Sequence, residues 1–399
     1  MQKVLPLVTI IILLAITSSP LLAIEFKGYQ NNDSIKLIDK FHNEIMKKEN
    51  AVISCLPQSL DSSILFGINI QGNLIPLRSV KIVAVGDVMP GTNYPTTSYL
   101  PSSCSALFDP VKNIISEADI AIANLEGVFS SNGGTPKNCN NPKTCYVFRM
   151  PDEYAECIKD AGFDILGVAN NHVNDFGLQG RRNTAKILDD LAIPFAGFKD
   201  RSYVIYEAKG LRIGFCAFAP HIGTLNLKDY EAAANLVSEL KQKVDIVIVS
   251  FHGGAEGKDH QHLVKGDEIY LGYNRGDTHH FAHKVIDAGA DLVFGHGPHV
   301  VRAMEMYKDK LIAYSLGNFC TYRRFNLSGP NANAPILEVE LNEKGELLSA
   351  KIHSFLQLGE GGPVFDPNNR AAKKINELSR QDFPNQKLSI NSEGQIIWQ

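Results

Sequence analysis

The feature that most constrains how this chain can fold is a repeated one: a short apolar run that breaks off into residues able to do chemistry. The run 81–85 ends in Gly86-Asp87, and the run 119–123 ends in Asn124-Leu125-Glu126. Residues 163–169 end in Asn170-Asn171-His172, and residues 244–251 end in His252-Gly253-Gly254. Residues 290–294 lead into Gly295-His296-Gly297-Pro298-His299, and residues 310–314 into Ser315-Leu316-Gly317-Asn318. Runs this short and rich in Val and Ile read as strands buried on both faces. Helical stretches fall between several of them, at 110–118, 152–161, 180–191, 230–243 and 279–288. Such alternation implies βαβ units, whose ligands gather at the carboxyl ends of the strands.

Two segments break the alternation. Residues 203–218 turn back at Lys209-Gly210, and residues 336–355 turn at 342–345. Added antiparallel pairs turn one open parallel sheet into two stacked mixed sheets flanked by helices. The predicted division is an export signal at 1–23, an N-terminal extension at 24–79, a main domain at 80–358, and a C-terminal helix and tail at 359–399. The extension has helical periodicity at 34–48 and nothing that looks catalytic.

The export signal rests on Lys3, an apolar stretch at 5–16 too short to span a bilayer comfortably, and a cleavage site after Leu21-Leu22-Ala23. The alternative is an uncleaved anchor. No second long apolar run follows, so no stable transmembrane anchor is expected after cleavage. Export to the periplasm or the exterior permits disulfides. Of the seven cysteines, Cys139 and Cys145 flank a polar loop as a local pair, and Cys216 sits in an apolar strand as core filler. A net charge of −4 argues against a nucleic-acid partner.

Three histidines carry the sharpest chemical signal. His296 and His299 stand three apart in a Gly/Pro loop, and His252 ends another strand; neutral imidazole is the commonest metal-binding side chain. Asp87 and Glu126 add carboxylates at strand ends, a combination that suits a two-metal site with one bridging carboxylate. The Asn171 carbonyl can ligate without adding charge, and His172 beside it can donate a proton to a leaving group. Asp175 and Gly177 read as a helix-entry turn. Asn124, Asn170, Glu256, Asn318 and His221 lie at the same rim, placed to touch substrate or orient ligands. A nucleophile elbow, a phosphate-binding glycine loop and a dinucleotide fingerprint are all missing from the sequence.

Taken in order, Gly86-Asp87-Val88-Met89, Asn124-Leu125-Glu126, Ala169 to His172, His252-Gly253-Gly254-Ala255-Glu256, Gly289 to His299 and Tyr314 to Phe319 resemble the CapA/PgsA-type capsule (poly-γ-glutamate) synthesis proteins. That family is similar in turn to the calcineurin-like metallophosphoesterases. The resemblance implies a four-layer sandwich, two mixed sheets between helices, with one or two divalent ions (Mn, Zn or Fe) at the strand ends. It would give Asp87 and His299 to the first metal and the bridging position to Glu126. Asn171, His252 and His296 would go to the second metal, and the role of proton donor to His172. Three positions depart from the pattern. Met89 stands where a His ligand is usual, Gly297 where the loop carries a second His, and Gly253 where an aromatic follows the histidine.

The function expected from these readings is metal-dependent hydrolysis or transfer, phosphoesterase-like or cleaving a γ-glutamyl or other amide. It would act on an anionic polymer or cell-envelope substrate, alongside capsule-synthesis machinery. The rival is a non-catalytic protein that binds and guides a polymer during export on the same fold.

Overall fold

Alternation within single strands sets the layering of the main domain. In the computed structural model, odd and even residues of the central strands face different cores, and the two sheets share one of those cores between them. The structure describes residues 78–139 and 145–398, together with the strands Val8–Ala15, Leu22–Gly28, Val52–Pro57, Phe66–Ile68 and Leu74–Pro76. The chain divides into Met1–Arg78 and Ser79–Gln399. In the first unit Val8–Ala15 pairs antiparallel with Leu22–Gly28 and with Val52–Pro57. The rest of the predicted export signal, and the helical periodicity at 34–48, lie outside the described residues. Among the described residues no helix is long and apolar enough to cross a membrane.

The second unit holds two large sheets. The strands of these two sheets, in chain order, are β1 (Ser79–Met89), β2 (Ile120–Leu125), β3 (Ile165–Gly167), β4 (Phe195–Ala196), β5 (Tyr203–Ala208), β6 (Leu211–Phe218), β7 (Ile246–His252), β8 (Leu292–His296), β9 (Met304–Tyr307), β10 (Lys310–Ala313), β11 (Asn318–Thr321), β12 (Ile336–Asn342) and β13 (Leu347–His353). The seven-stranded sheet runs β4-β3-β2-β1-β12-β13, with β11 pairing β1; the six-stranded sheet runs β5-β6-β7-β8-β10-β9. Pairs among β1 to β4 and among β6, β7, β8 and β10 are parallel. The predicted hairpins are the antiparallel pairs β5–β6 and β12–β13.

Ile82, Ala84, Ile120 and Ile122 of the first sheet pack against Ile213, Phe215, Ile246, Ile248 and Phe294 of the second. The intervening residues face outward. Val83, Val85, Ala121 and Ala123 meet helices α1 (Lys112–Ser116), α2 (Tyr154–Asp160) and α3 (Gly177–Asp190) through Ile115, Ile158 and Leu188. On the other side Val247, Val249 and Val293 meet α4 (Tyr230–Lys241) and α5 (Thr278–Asp287) through Val237, Leu240, Phe281 and Val285. The result is the expected helix–sheet–sheet–helix order. Side-chain caps start both outer helices: Asp229 accepts from the Ala232 amide at 3.2 Å and Asp277 from the His280 amide at 2.8 Å. Helix α6 (Arg370–Asp382) and a short hairpin at the C-terminus complete the unit.

Cys139 and Cys145 form the expected local disulfide, and Cys104–Cys157 is a second one that the sequence spacing did not reveal. Cys216 is fully buried in the outer core, as its strand position implied, and Cys320 is also a buried thiol. The Cys104–Cys157 bridge closes a span of 53 residues. Loop-closure entropy then predicts that a Cys157→Ser variant loses about 2–4 kcal/mol of stability in denaturant unfolding. An unchanged midpoint would show that the bridge contributes nothing to the folded state.

Candidate functional site

The parallel strands of both sheets deliver their carboxyl ends to one rim, and the rim is built around a pair of buried carboxylates. Asp87 and Glu126 are fully buried, and Asn124 stands between them. The Asn124 amide nitrogen donates to Asp87 Oδ1 and to Glu126 Oε2, both at 2.7 Å. Asn124 Oδ1 accepts in turn from Asn170 Nδ2 at 3.2 Å, which also donates to the Leu125 carbonyl at 2.7 Å. Asn170 Oδ1 accepts from the His172 amide at 3.0 Å. Asn124 and Asn170 therefore hold the carboxylates and aim the segment 170–172.

Gly86 makes the next contact possible. A Cβ there would lie 2.1 Å from the Gly317 carbonyl oxygen, and the Asp87 amide donates to that same oxygen at 2.9 Å. This approach puts Asn318 in register beside Asp87. The parallel register of β7 and β8 sets His252 opposite His296. His252 Nδ1 lies 3.4 Å from Glu126 Oε2, and His296 Nδ1 lies 3.8 Å from Asp87 Oδ1. His299, in the left-handed region at φ 56, donates through Nδ1 to Asp87 Oδ2 at 2.9 Å and to Asn318 Oδ1 at 3.0 Å. Asp87, Glu126 and His299 each offer a ligand atom within 4.8 Å of the others.

The departures at 253 and 297 both lie where backbone approaches too closely for a side chain. Gly297 has φ +110, and a Cβ on it would lie 2.9 Å from the backbone N and O of Gly253; a Cβ on Gly253 would lie 2.9 Å from the Arg275 carbonyl. The third departure is explained differently. Met89 is fully buried in the core beneath α1 and α2, so it fills space there.

His172 is held on two sides. Its Nδ1 donates to Asp175 Oδ2 at 2.6 Å, its ring stacks on Phe148 at 4.2 Å, and its Nε2 points back to Glu126 Oε1 at 3.6 Å. Asp175 is fully buried and also accepts from the Phe148 amide at 2.6 Å. It therefore orients His172, which the turn reading of the sequence missed; a carboxylate three residues after a rim histidine was the available signal. Arg275, buried and paired with Glu256 at 2.9 Å, was also missed.

Burial and charge divide the ionisable groups. Burial works to raise Asp87, but the His299 hydrogen bond and the charges of His299 and His296 outweigh it, so its carboxyl stays below the ordinary value. Burial and then the neighbouring Asp87 charge hold Glu126 well above the carboxylate range. Burial pushes His252 well down, aided by Arg275, and brings His296 to about 4 despite Asp87. His299 goes the other way. Burial is overridden by the Asp87 hydrogen bond and charge, which lift it to about 10.

Several shielded atoms here have no hydrogen-bond partner in the protein: Glu126 Oε1, Asn171 Oδ1, His221 Nε2, His252 Nε2 and both ring nitrogens of His296. Such atoms are costly to bury unless something pairs with them. The contrast is a second group with ligand-type side chains, His279, His283 and Glu305. There the Glu305 carboxylate is satisfied by His283 at 2.8 Å and Tyr314 at 2.6 Å. Carboxylates, neutral imidazoles and an amide oxygen are the donor set of a divalent cation, so the residues at the rim fit one. Asp87, Glu126, His252, His296 and His299 are brought together directly. Asn171 and His221 make no hydrogen bond to that cluster.

The sequence profile described as "Bacterial capsule synthesis protein PGA_cap" matches residues 81–323. The capsule biosynthesis protein CapA of Bacillus anthracis is 26% identical over 232 residues, which cover 53% of this chain and 53% of that protein. The PGA biosynthesis protein CapA of Bacillus subtilis (strain 168) is 28% identical over 252 residues, 59% of this chain and 61% of that one. The chain thus spans between half and two thirds of the length of these curated relatives. Among solved structures, a 5'-nucleotidase precursor from Thermus thermophilus aligns with TM-score 0.38 and 16% identity over 77% of this chain and 60% of that one. A purple acid phosphatase from yellow lupin (Lupinus luteus) seeds aligns with TM-score 0.36 and 8% identity over 90% and 69%.

The elevated His299 gives a prediction about cation uptake. His299, lifted to about 10, holds a proton at neutral pH and must lose it to coordinate, so binding should release about one proton per ion and tighten as pH rises. Calorimetric titration with Mn(II) at pH 7.5, in buffers of different ionisation enthalpy, measures this. Zero release would exclude His299 as a ligand. The sign for folding is opposite. A raised histidine stabilises the metal-free protein below pH 6.5, and that contribution fades as pH climbs through about 10.

Proposed function

The chain belongs to the bacterial capsule synthesis protein family PGA_cap, and from that premise we propose that it is an exported, metal-dependent hydrolase or transferase acting on an anionic capsule or cell-envelope polymer. The observation that carries the reading is the ring of shielded, unpartnered ligand atoms around the Asp87–Asn124–Glu126 triad. Asp87 and His299 would hold one cation. Glu126 would bridge to a second, held by Asn171, His252 and His296. A cation bound there polarises a substrate oxygen and makes water nucleophilic near neutral pH.

The protein's own groups supply the rest. Asn124 keeps two carboxylates facing one point, where each alone would turn away from the other's charge. Burial keeps His172 below the ordinary imidazole range, although Asp175 pulls against it. Its resting form is therefore neutral, with Nδ1–H given to Asp175 and Nε2 open to the site. An anionic substrate alongside raises its affinity for a proton, and the protonated ring can then hand that proton to a leaving group. Both disulfides support an oxidising compartment.

A non-catalytic, polymer-guiding role has one observation in its favour: Met89 removes a usual ligand and serves the core. Elemental analysis of the purified protein, combined with assays on an aryl phosphomonoester and a γ-glutamyl dipeptide, separates the two. The expected result is bound transition metal and turnover of at least one substrate. His296→Ala and Glu126→Ala should lose most of the metal. His172→Ala should keep the metal and drop turnover by about 10²–10⁴-fold, the usual contribution of a positioned acid. Metal-free protein with full capsule output would sink the enzymatic reading.

A further inference from the structure

One buried cation beside the centre is only half satisfied. Arg275 is 5% exposed, and its Nη1 pairs with Glu256 Oε1 at 2.9 Å. Its Nε and Nη2 are fully shielded and have no acceptor in the protein. These two nitrogens form one edge of the guanidinium, whose parallel N–H bonds match the two oxygens of a carboxylate or phosphoryl group.

Neighbouring Arg302 shows what a structural arginine looks like here. It is equally buried, yet its Nη1 and Nη2 donate to the two oxygens of Glu268 at 2.7 and 2.8 Å, and its Nε donates to the His260 carbonyl at 2.9 Å. Glu268 is thereby committed, and Arg275 must find its oxygens elsewhere.

The backbone fixes where Arg275 stands. Its carbonyl accepts from the Gly254 amide at 3.1 Å, so it is held against the turn that follows His252. The same carbonyl lies 2.9 Å from where a Cβ on Gly253, the residue after His252, would stand. Arg275 therefore flanks the centre on its His252 side, with one edge of its guanidinium free.

We infer that the Nε–Nη2 edge of Arg275 is the subsite that binds an oxoanionic group of the substrate, carboxylate or phosphoryl, next to the centre. This rests on the reading of the rim as a substrate site, and it names the substrate's anchoring charge. Arg275 is a binding residue on this assignment, and Glu256 positions it.

The test is a calorimetric titration of the purified full chain with inorganic phosphate in one arm and L-glutamate in the other, with metal content measured in each sample. The same titrations are run on Arg275→Gln and Arg275→Lys. The wild type should bind at least one of the two anions at millimolar concentration or below. Both variants should weaken that binding about tenfold or more, with metal content unchanged. Lysine keeps a positive charge opposite Glu256 but lacks the fork, so it carries the test if the glutamine variant fails to fold. The arm that responds identifies phosphoryl or carboxylate. No binding to the wild type in either arm, or variants that bind as the wild type does, overturns the subsite and leaves Arg275 satisfied by water alone. Because the titration needs no turnover, an inactive protein that binds through Arg275 keeps the subsite while sinking the hydrolase. An active protein indifferent to both substitutions does the reverse.

Discussion

Two carboxylates cannot share a dry site without a group that makes their proximity tolerable, and here that group is the Asn124 amide. One nitrogen donates to both Asp87 and Glu126. Being neutral, it adds hydrogen bonds without cancelling the negative field that would attract a cation. Much of the rest follows from keeping it in place. Asn170 fixes the amide's orientation from behind, and that same residue sets the direction of the segment carrying His172. The parallel strands β1 and β2 supply the rigid base, since their register puts Asp87 beside Asn124.

The histidines divide according to what each one faces. His252 and His296 end adjacent strands of the second sheet in complete burial, where desolvation strips their protons and leaves lone pairs. His299 lies beyond the strand end, in a left-handed conformation that turns its ring onto Asp87. Its charge balances the carboxylate in the protein alone. The same constellation therefore contains two neutral imidazoles with free lone pairs and one charged imidazole paired with a carboxylate.

The strand-end pattern made the layered fold and the Asp87, Glu126, His252, His296 and His299 cluster legible in the sequence, because each residue sits where an apolar run stops. Other features depended on distant pairings. Asp175 looks like a turn residue until the fold buries it against His172. Arg275 follows Tyr273-Asn274 on a polar stretch, and nothing local distinguishes a buried guanidinium from a solvated one. The Cys104–Cys157 bridge likewise joins segments that only packing brings together. Met89 shows the converse. Its place in the motif suggested a missing ligand, whereas its surroundings show a side chain chosen for volume.

The contact between Gly253 and Gly297 has a consequence for how such a site can change over time. The Gly253 backbone occupies the space that a side chain at 297 would need, and the Arg275 carbonyl occupies the space that one at 253 would need. A histidine at 297 or an aromatic at 253 could enter only if the opposing loops separated first. Exchange at 297 thus depends on the backbone at 253, and exchange at 253 on the loop carrying residue 275, a chain of epistasis that a lineage crossing between the two arrangements would have to follow.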